Sequence, residues 1–272
     1  MSALRRRILA ERVVLGLVVA VFMVPVAWLV STAYKPGAAI FSSPPTLLFR
    51  PTLDNFRTIF GLFDIVGLVR SSLVISLGSA ALSLLLGAPA GYALARSRSR
   101  LALLVAYAFL GVRMVPAVAA LIPFYLLMRD VGLLGTWWSV ILINTVLNSA
   151  FVTWMMFSYF RALPHELAEA ALTDGCTLIG AFVRIEIPTV RSGLIASALF
   201  CIIFSWNDFL FASFLTRLDT KPISVALLAA YGTYDISWGT LGAMAHVSTI
   251  PIVLLALGLN RYFVQGLTKG MH

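Results

Sequence analysis

The chain has 272 residues, 60% hydrophobic and only 11% charged, against about 45–50% and about 25% in soluble globular domains, which excludes a soluble enzyme. Nineteen glycines exclude a collagen-like chain, and the hydrophobicity excludes a disordered one. The formal charge of +9 would suggest nucleic acid in a soluble protein. In a chain whose solvent is a bilayer, Lys and Arg gather at the cytoplasmic ends of spans, so the expected surroundings are membrane lipid and no nucleic acid.

A helix needs about 20 apolar residues to cross about 30 Å of hydrocarbon, and six stretches reach that length. Val13 to Tyr34 follows Arg5, Arg6, Arg7 and Arg12; it exceeds the 7–15 residues of a signal-peptide core and reads as a span. Lys35 to Arg70 contains Pro36, Pro44, Pro45 and Pro51 and is not expected to form one helix. Ser71 to Ala95 is the second span. Leu101 to Met128, interrupted by Arg113, Pro116 and Pro123, is the third, and Val131 to Phe160 the fourth. The fifth runs from Ser192 to Asn207, stops at Asp208 and resumes as Phe209 to Thr216. Arg217 to Asp235, with Lys221-Pro222, Gly232 and two tyrosines, reads as an external loop, and Ile236 to Asn260 is the sixth span.

The expected fold is therefore an all-α membrane protein with six transmembrane helices. Residues 1–34 form a basic N-terminus and first helix, 35–70 an external loop, 71–262 a five-helix core that includes the loop 161–191, and 263–272 a tail. Twelve Lys and Arg fall on the side of the N-terminus and seven on the other, most sharply in Arg96-Ser97-Arg98-Ser99-Arg100. The positive-inside rule then places both termini in the cytoplasm. Cys176 and Cys201 fall in a cytoplasmic and a mid-membrane segment, so no disulfide is expected.

The cytoplasmic loop carries the densest signals. Pro164 suits a first helical position, Glu166 and Glu169 favour a helix start, and Gly175 suits a left-handed stop. Thr177 can cap a second helix, expected to end near Ile187 because Pro188 disfavours a helical residue before it. The result is a hairpin jointed at Asp174-Gly175, with apolar faces from Leu163, Leu167, Ala170, Ala171 and Phe182. Such a hairpin either packs on its own bundle or docks another protein, whose surface Ala170 and Ala171 would allow to approach closely.

Within the spans, Arg113 lies about 18 Å in from Leu101 and Asp208 about 24 Å in from Ser192. A charge at such depth marks a functional site by default. The two are expected to pair or to face one wet cavity, and a static pair fixing helix register is the plainer reading. Asn144 and Asn148, four apart, share a face that either lines a polar pathway or bonds between helices. Trp206 and Tyr231 either stack on a bound solute or pack. His165-Glu166-Leu167-Ala168-Glu169 lacks the second histidine of a zinc motif. There is no Gly-x-Ser-x-Gly elbow, and no phosphate-binding Gly-x-x-x-x-Gly-Lys loop, so neither a serine hydrolase of that class nor the usual P-loop ATPase is expected.

Glu169-Ala170-Ala171, with Gly175 six, Ile185 sixteen and Pro188 nineteen residues after Glu169, resembles the EAA loop of binding-protein-dependent ABC importer permeases. Arg113-Met114-Val115-Pro116 with Ile122-Pro123, Gly132-Leu133-Leu134-Gly135-Thr136, Leu163-Pro164, and Phe204-Ser205-Trp206-Asn207-Asp208-Phe209-Leu210 are similar to the maltose-type, carbohydrate-importing branch. The likeness runs from about Leu68 to His272. It implies the type I ABC importer fold in a bacterial inner membrane. It also implies a second homologous permease, an external solute-binding protein, and a dimer of ATPase subunits that holds ATP and Mg, with no cofactor on this chain. ATPase coupling would fall to Glu166, Glu169, Ala170, Ala171, Asp174, Gly175, Ile185 and Pro188. The pathway would involve Arg113, Asn144, Asn148, Trp206, Asn207 and Asp208. The alternative is an ion-coupled secondary carrier, which needs buried protonatable groups, and only Arg113 and Asp208 are candidates.

Overall fold

The computed structural model describes residues 3–97, 99–112, 114–164, 166–233 and 237–269. Among them the chain is helical, and the only pairing of extended backbone is an isolated bridge between Gly135 and Thr216. Two compact units are formed, one by residues 1–65 and 227–250, the other by 66–226 and 251–272.

In the first unit, the charge-free run after Arg12 continues the basic N-terminus as one long helix, α1 (Ala3–Tyr34). Nearly all of its side chains from Ile8 to Leu29 are exposed and apolar, as befits a surface meant for lipid or another membrane helix. The proline-rich segment that follows forms one short turn, α2 (Gly37–Ile40), extended chain, and then α3 (Asp54–Leu62). Asn55 of α3 donates from Nδ2 to the carbonyls of Ala33 and Lys35, each at 2.9 Å, and so caps the end of α1. Lys35 is buried with its ammonium 3.9 Å from the Trp28 ring centroid.

The second unit contains most of α4 (Ile65–Arg96), α5 (Arg100–Val112), α6 (Ala117–Asp130) and α7 (Trp137–Arg161). After α7 come the short helices α8 (Glu166–Thr173), α9 (Leu178–Ala181) and α10 (Ile187–Thr189), then α11 (Arg191–Trp206) and α12 (Leu210–Leu215). Helix α7 is central: α5 and α11 pack on it, and Val152, Met156 and Phe160 lie fully buried within the unit's core. Close approach of α4 to α7 depends on Gly87 and Gly91. A Cβ at Gly91 would lie 2.7 Å from the Thr153 carbonyl oxygen and 2.8 Å from the Phe157 nitrogen; at Gly87 it would lie 2.7 Å from the Val152 Cβ. Two small residues four apart are the usual device for bringing membrane helices backbone to backbone.

Among the described residues four helices are long and apolar enough to cross a bilayer, within Arg7–Tyr34, Ile65–Arg96, Trp137–Arg161 and Trp238–Gly258 of α14 (Trp238–Lys269). A fifth candidate is the bent pair Leu178–Thr189 and Arg191–Trp206, meeting at 78°. The expected third span is not one helix, because Pro116 takes an extended ψ of 123° and separates α5 from α6. The expected fifth is broken at Asp208, as its charge suggests. The second starts at Ile65, six residues ahead of the expected Ser71. The expected external loop after Arg217 instead forms helix α13 (Ile223–Thr233): Pro222 stands just before its first turn, where a missing N–H costs nothing, and the Ile223 N–H donates to Ser72 Oγ at 2.9 Å.

Replacing Gly91 by Leu should lower stability by about 1–3 kcal/mol through overpacking against α7 backbone, whereas Gly61→Ala, with open space at its Cβ, should leave it unchanged. Thermal unfolding of the detergent-solubilised protein distinguishes the two.

Candidate functional site

The hairpin between α7 and α11 takes its shape from three local devices. At the end of α8, Gly175 adopts φ +85°, its N–H donates to the Leu172 carbonyl, and the Cys176 N–H reaches back to Ala171 at 3.0 Å. These two bonds make the left-handed stop that the sequence predicts. Thr177 then caps α9, its Oγ1 accepting from the Gly180 N–H at 3.1 Å. Between α9 and α10, Phe182–Glu186 forms one turn of π-helix. This turn corrects the expectation for Pro188: Ile187 is helical (φ −56°, ψ −50°) and the chain stays helical to Thr189. The Ile187 N–H bonds to the Phe182 carbonyl, five residues back. The wider turn moves away the carbonyl that the proline ring would otherwise meet.

The two faces of the hairpin differ. Inward, Ala171 and Ala181 are buried, Leu163 and Phe182 pack on the core, and the Phe182 ring lies 4.6 Å from Tyr92 of α4 and 5.9 Å from Phe160 of α7. Leu167 and Ile185 are half-buried. Outward stand Glu166, Glu169, Ala170, Asp174, Gly175 and Pro188 together with Leu172, Leu178, Ile179 and Val183. Ile179 is 76% exposed, so this outer face carries four large apolar side chains open to its surroundings.

One pair anchors the inner face and was not legible in the sequence. Glu186, fully buried, accepts a hydrogen bond from Nη2 of Arg96 at the end of α4. The available signal was a lone acid between Ile185 and Ile187; nothing in the periodicity linked it to an arginine 90 residues earlier.

The second group of predicted residues gathers where α11 stops. Asn144 Nδ2 donates to Asp208 Oδ2 at 3.2 Å, and Asn148 Nδ2 to Ser205 Oγ at 3.0 Å. Ser79 of α4 donates to the same Ser205 at 2.7 Å. Asp208 also accepts from the Phe211 N–H at 3.2 Å, capping α12, and its carbonyl accepts from Ser224 Oγ at 2.9 Å. The side chains of Asn144, Asn148, Ser205 and Asp208 thus all have partners, which hydrocarbon surroundings demand. The shared asparagine face is spent on bonds between helices: Asn144, Asn148 and Trp206 are buried, Asp208 is half-buried, and Asn207 is exposed. Arg113 and His165 lie outside the described residues, as does the side chain of Tyr231, so the expected Arg113–Asp208 pairing does too.

Residues 83–269 match the family model described as "Binding-protein-dependent transport system inner membrane component". The chain is 36% identical over 250 residues to a probable ABC transporter permease protein of Sinorhizobium fredii, covering 92% of this chain and 90% of that one. It is 32% identical to the trehalose transport system permease protein of Mycobacterium tuberculosis, covering 93% of each. Its fold is similar, with a TM-score of 0.78 at 22% identity, to a bacterial ABC transporter involved in the import of the acidic polysaccharide alginate, over 97% of this chain and 99% of that one.

Glu186→Ala leaves the Arg96 guanidinium without its buried partner and should cost about 3–5 kcal/mol, while the double change Arg96→Met, Glu186→Leu should recover most of that. Unfolding midpoints of the three proteins test it.

Proposed function

The chain belongs to the family of binding-protein-dependent transport system inner membrane components, and from that premise we propose that it is one permease of an ATP-driven importer of a carbohydrate or related polar solute. A second homologous permease would complete the pathway, an external solute-binding protein would deliver the solute, and a dimer of ATPase subunits would hold ATP and Mg. The sugar relatives support the substrate class, among them the trehalose permease and the trehalose/maltose permease of Thermococcus litoralis, at 27% identity over 275 residues. In this reading α1, α4, α5 with α6, α7, α11 with α12, and α14 make six crossings, two of them broken, with both termini cytoplasmic in accord with the excess of basic residues on that side.

The observation that carries the proposal is the two-faced hairpin. Its inner face is locked to α4 and α7 through Phe182 and the Arg96–Glu186 pair, while its outer face presents Glu166, Glu169, Ala170 and Asp174 beside exposed Leu172, Leu178 and Ile179. An ATPase subunit seated on the outer face would move α8, and the stop at Gly175 and the cap at Thr177 would carry that motion as one piece into α11. Ala171 acts from within by holding α8 against the unit, and Ile185 and Pro188 lie along the route to the bend at Val190. A docking loss of about 1.4–3 kcal/mol shifts such an equilibrium by roughly 10- to 150-fold.

For the pathway, Asn207 and the open edge of Asp208 are the groups that would meet solute, with Asn144, Asn148 and Trp206 holding the break from behind. Arg113 is a further lining group in this proposal.

In vesicles containing the assembled transporter, Ile179→Glu or Ala170→Trp should lower ATP-dependent uptake about 10- to 150-fold and release the ATPase subunit on purification, with the permease still folded. Uptake that needs no internal ATP and survives on an ion gradient would overturn the reading. Asn207→Ala should weaken uptake without changing the unfolding midpoint, whereas Asp208→Leu should lower both, because it removes a helix cap worth about 1 kcal/mol and leaves Asn144 unpaired.

A further inference from the structure

The basic turn joining α4 to α5 is not used by the coupling hairpin or the polar break, yet it shapes a recess of about 360 Å³. The floor of the recess is apolar, formed by Leu94, Ala95, Ala102, Leu103 and Phe157; its rim is Ser97, Ser99, Arg100 and Arg161. The two arginines come from different helices, α5 and α7, and converge on one opening.

Their chemistry suits an anion. Arg96, Arg129, Arg57 and Arg7 each pair with a carboxylate, but among the described residues neither Arg100 nor Arg161 has one. Arg161 instead rests its guanidinium 5.5 Å from the Phe157 ring centroid, which fixes the fork against the floor. The two serines add donors at the same rim. Ser99 Oγ accepts from the Leu101 N–H at 3.1 Å and Ser97 Oγ from the Ser99 N–H at 3.3 Å. With its oxygen occupied by a backbone donor, each hydroxyl keeps its own proton to give outward. Two guanidinium forks and two hydroxyl donors around one mouth match a tetrahedral oxyanion.

We propose that this recess binds a phosphate group, supplied by an anionic phospholipid of the adjoining leaflet or by a soluble phosphate. The apolar floor would take the glycerol and first acyl carbons of a lipid, as basic pockets between membrane helices do.

The test titrates the full chain, in detergent, with phosphatidylglycerol, phosphatidylcholine and inorganic phosphate, reading bound lipid by native mass spectrometry and protection by the unfolding midpoint. The double change Arg100→Gln, Arg161→Gln should weaken phosphatidylglycerol binding about 30-fold, the effect of removing two basic residues at a membrane phosphate. Arg191→Gln, outside the recess, should bind as the parent does. Arg161→Lys, which keeps the charge and loses the fork, should fall between and serves if the double variant misfolds. Phosphatidylglycerol binding lost in the double variant supports the site with a lipid source. Protection by inorganic phosphate alone, lost in the same variant, supports it with a soluble one. Equal binding by parent and double variant, or binding of neither ligand by the parent, overturns the proposal.

Discussion

A carboxylate taken wholly out of water must find a cation, and in this chain that requirement sets the pose of the hairpin between α7 and α11. Glu186 is fully buried at the end of a π turn, and Arg96 at the tip of α4 answers it. With that contact made, Phe182 falls against Tyr92 and Phe160, Ala171 and Ala181 turn inward, and the opposite side of the hairpin is left to present Leu178 and Ile179. A wholly apolar contact would be as stable, but it would tolerate more orientations than one directional hydrogen bond between charged groups.

The polar break in the second unit follows a complementary rule, that hydrocarbon penalises a polar group left alone. Two of the expected spans are broken in mid-course, at Pro116 and at Asp208, and a break frees backbone donors and acceptors that a continuous helix would satisfy. At Asp208 the side chain takes up the Phe211 N–H in the first turn of α12, Ser224 takes the freed carbonyl, and Asn144 takes the remaining carboxylate oxygen. The charge that interrupts the apolar run is thus also the group that makes the interruption tolerable.

How much of this the chain declared in advance follows from which forces are local. The charge-free runs gave α1, α4, α7 and α14, and Gly175 and Thr177 announced the hairpin's stop and cap, because length, hydropathy and capping act within a turn or two of the residue concerned. Helix α13 was hidden by Pro222 and Gly232, which read as breakers yet fall at its two ends. The helical conformation of Ile187 depends on a π turn that no single-residue preference encodes. The Arg96–Glu186 contact and the seating of Gly87 and Gly91 on α7 are matters of tertiary distance, invisible to a pattern read one segment at a time. For Asn144 and Asn148 the sequence showed only a shared face, not the partners Asp208 and Ser205 that each meets across the helices.

The π turn at Phe182–Glu186 carries one more implication. Such a turn holds one residue more than an α-helical turn would need over the same path, and side chains along a helix step round by about 100° per residue. Excising a single residue there would let the backbone relax to ordinary α geometry and leave Pro188 close to its bearing relative to Phe182, because five residues of a π turn and four of an α turn each make about one revolution. The segment is therefore a natural place for a one-residue insertion or deletion to be absorbed, and natural variants with a shorter loop should keep the bearing of α11.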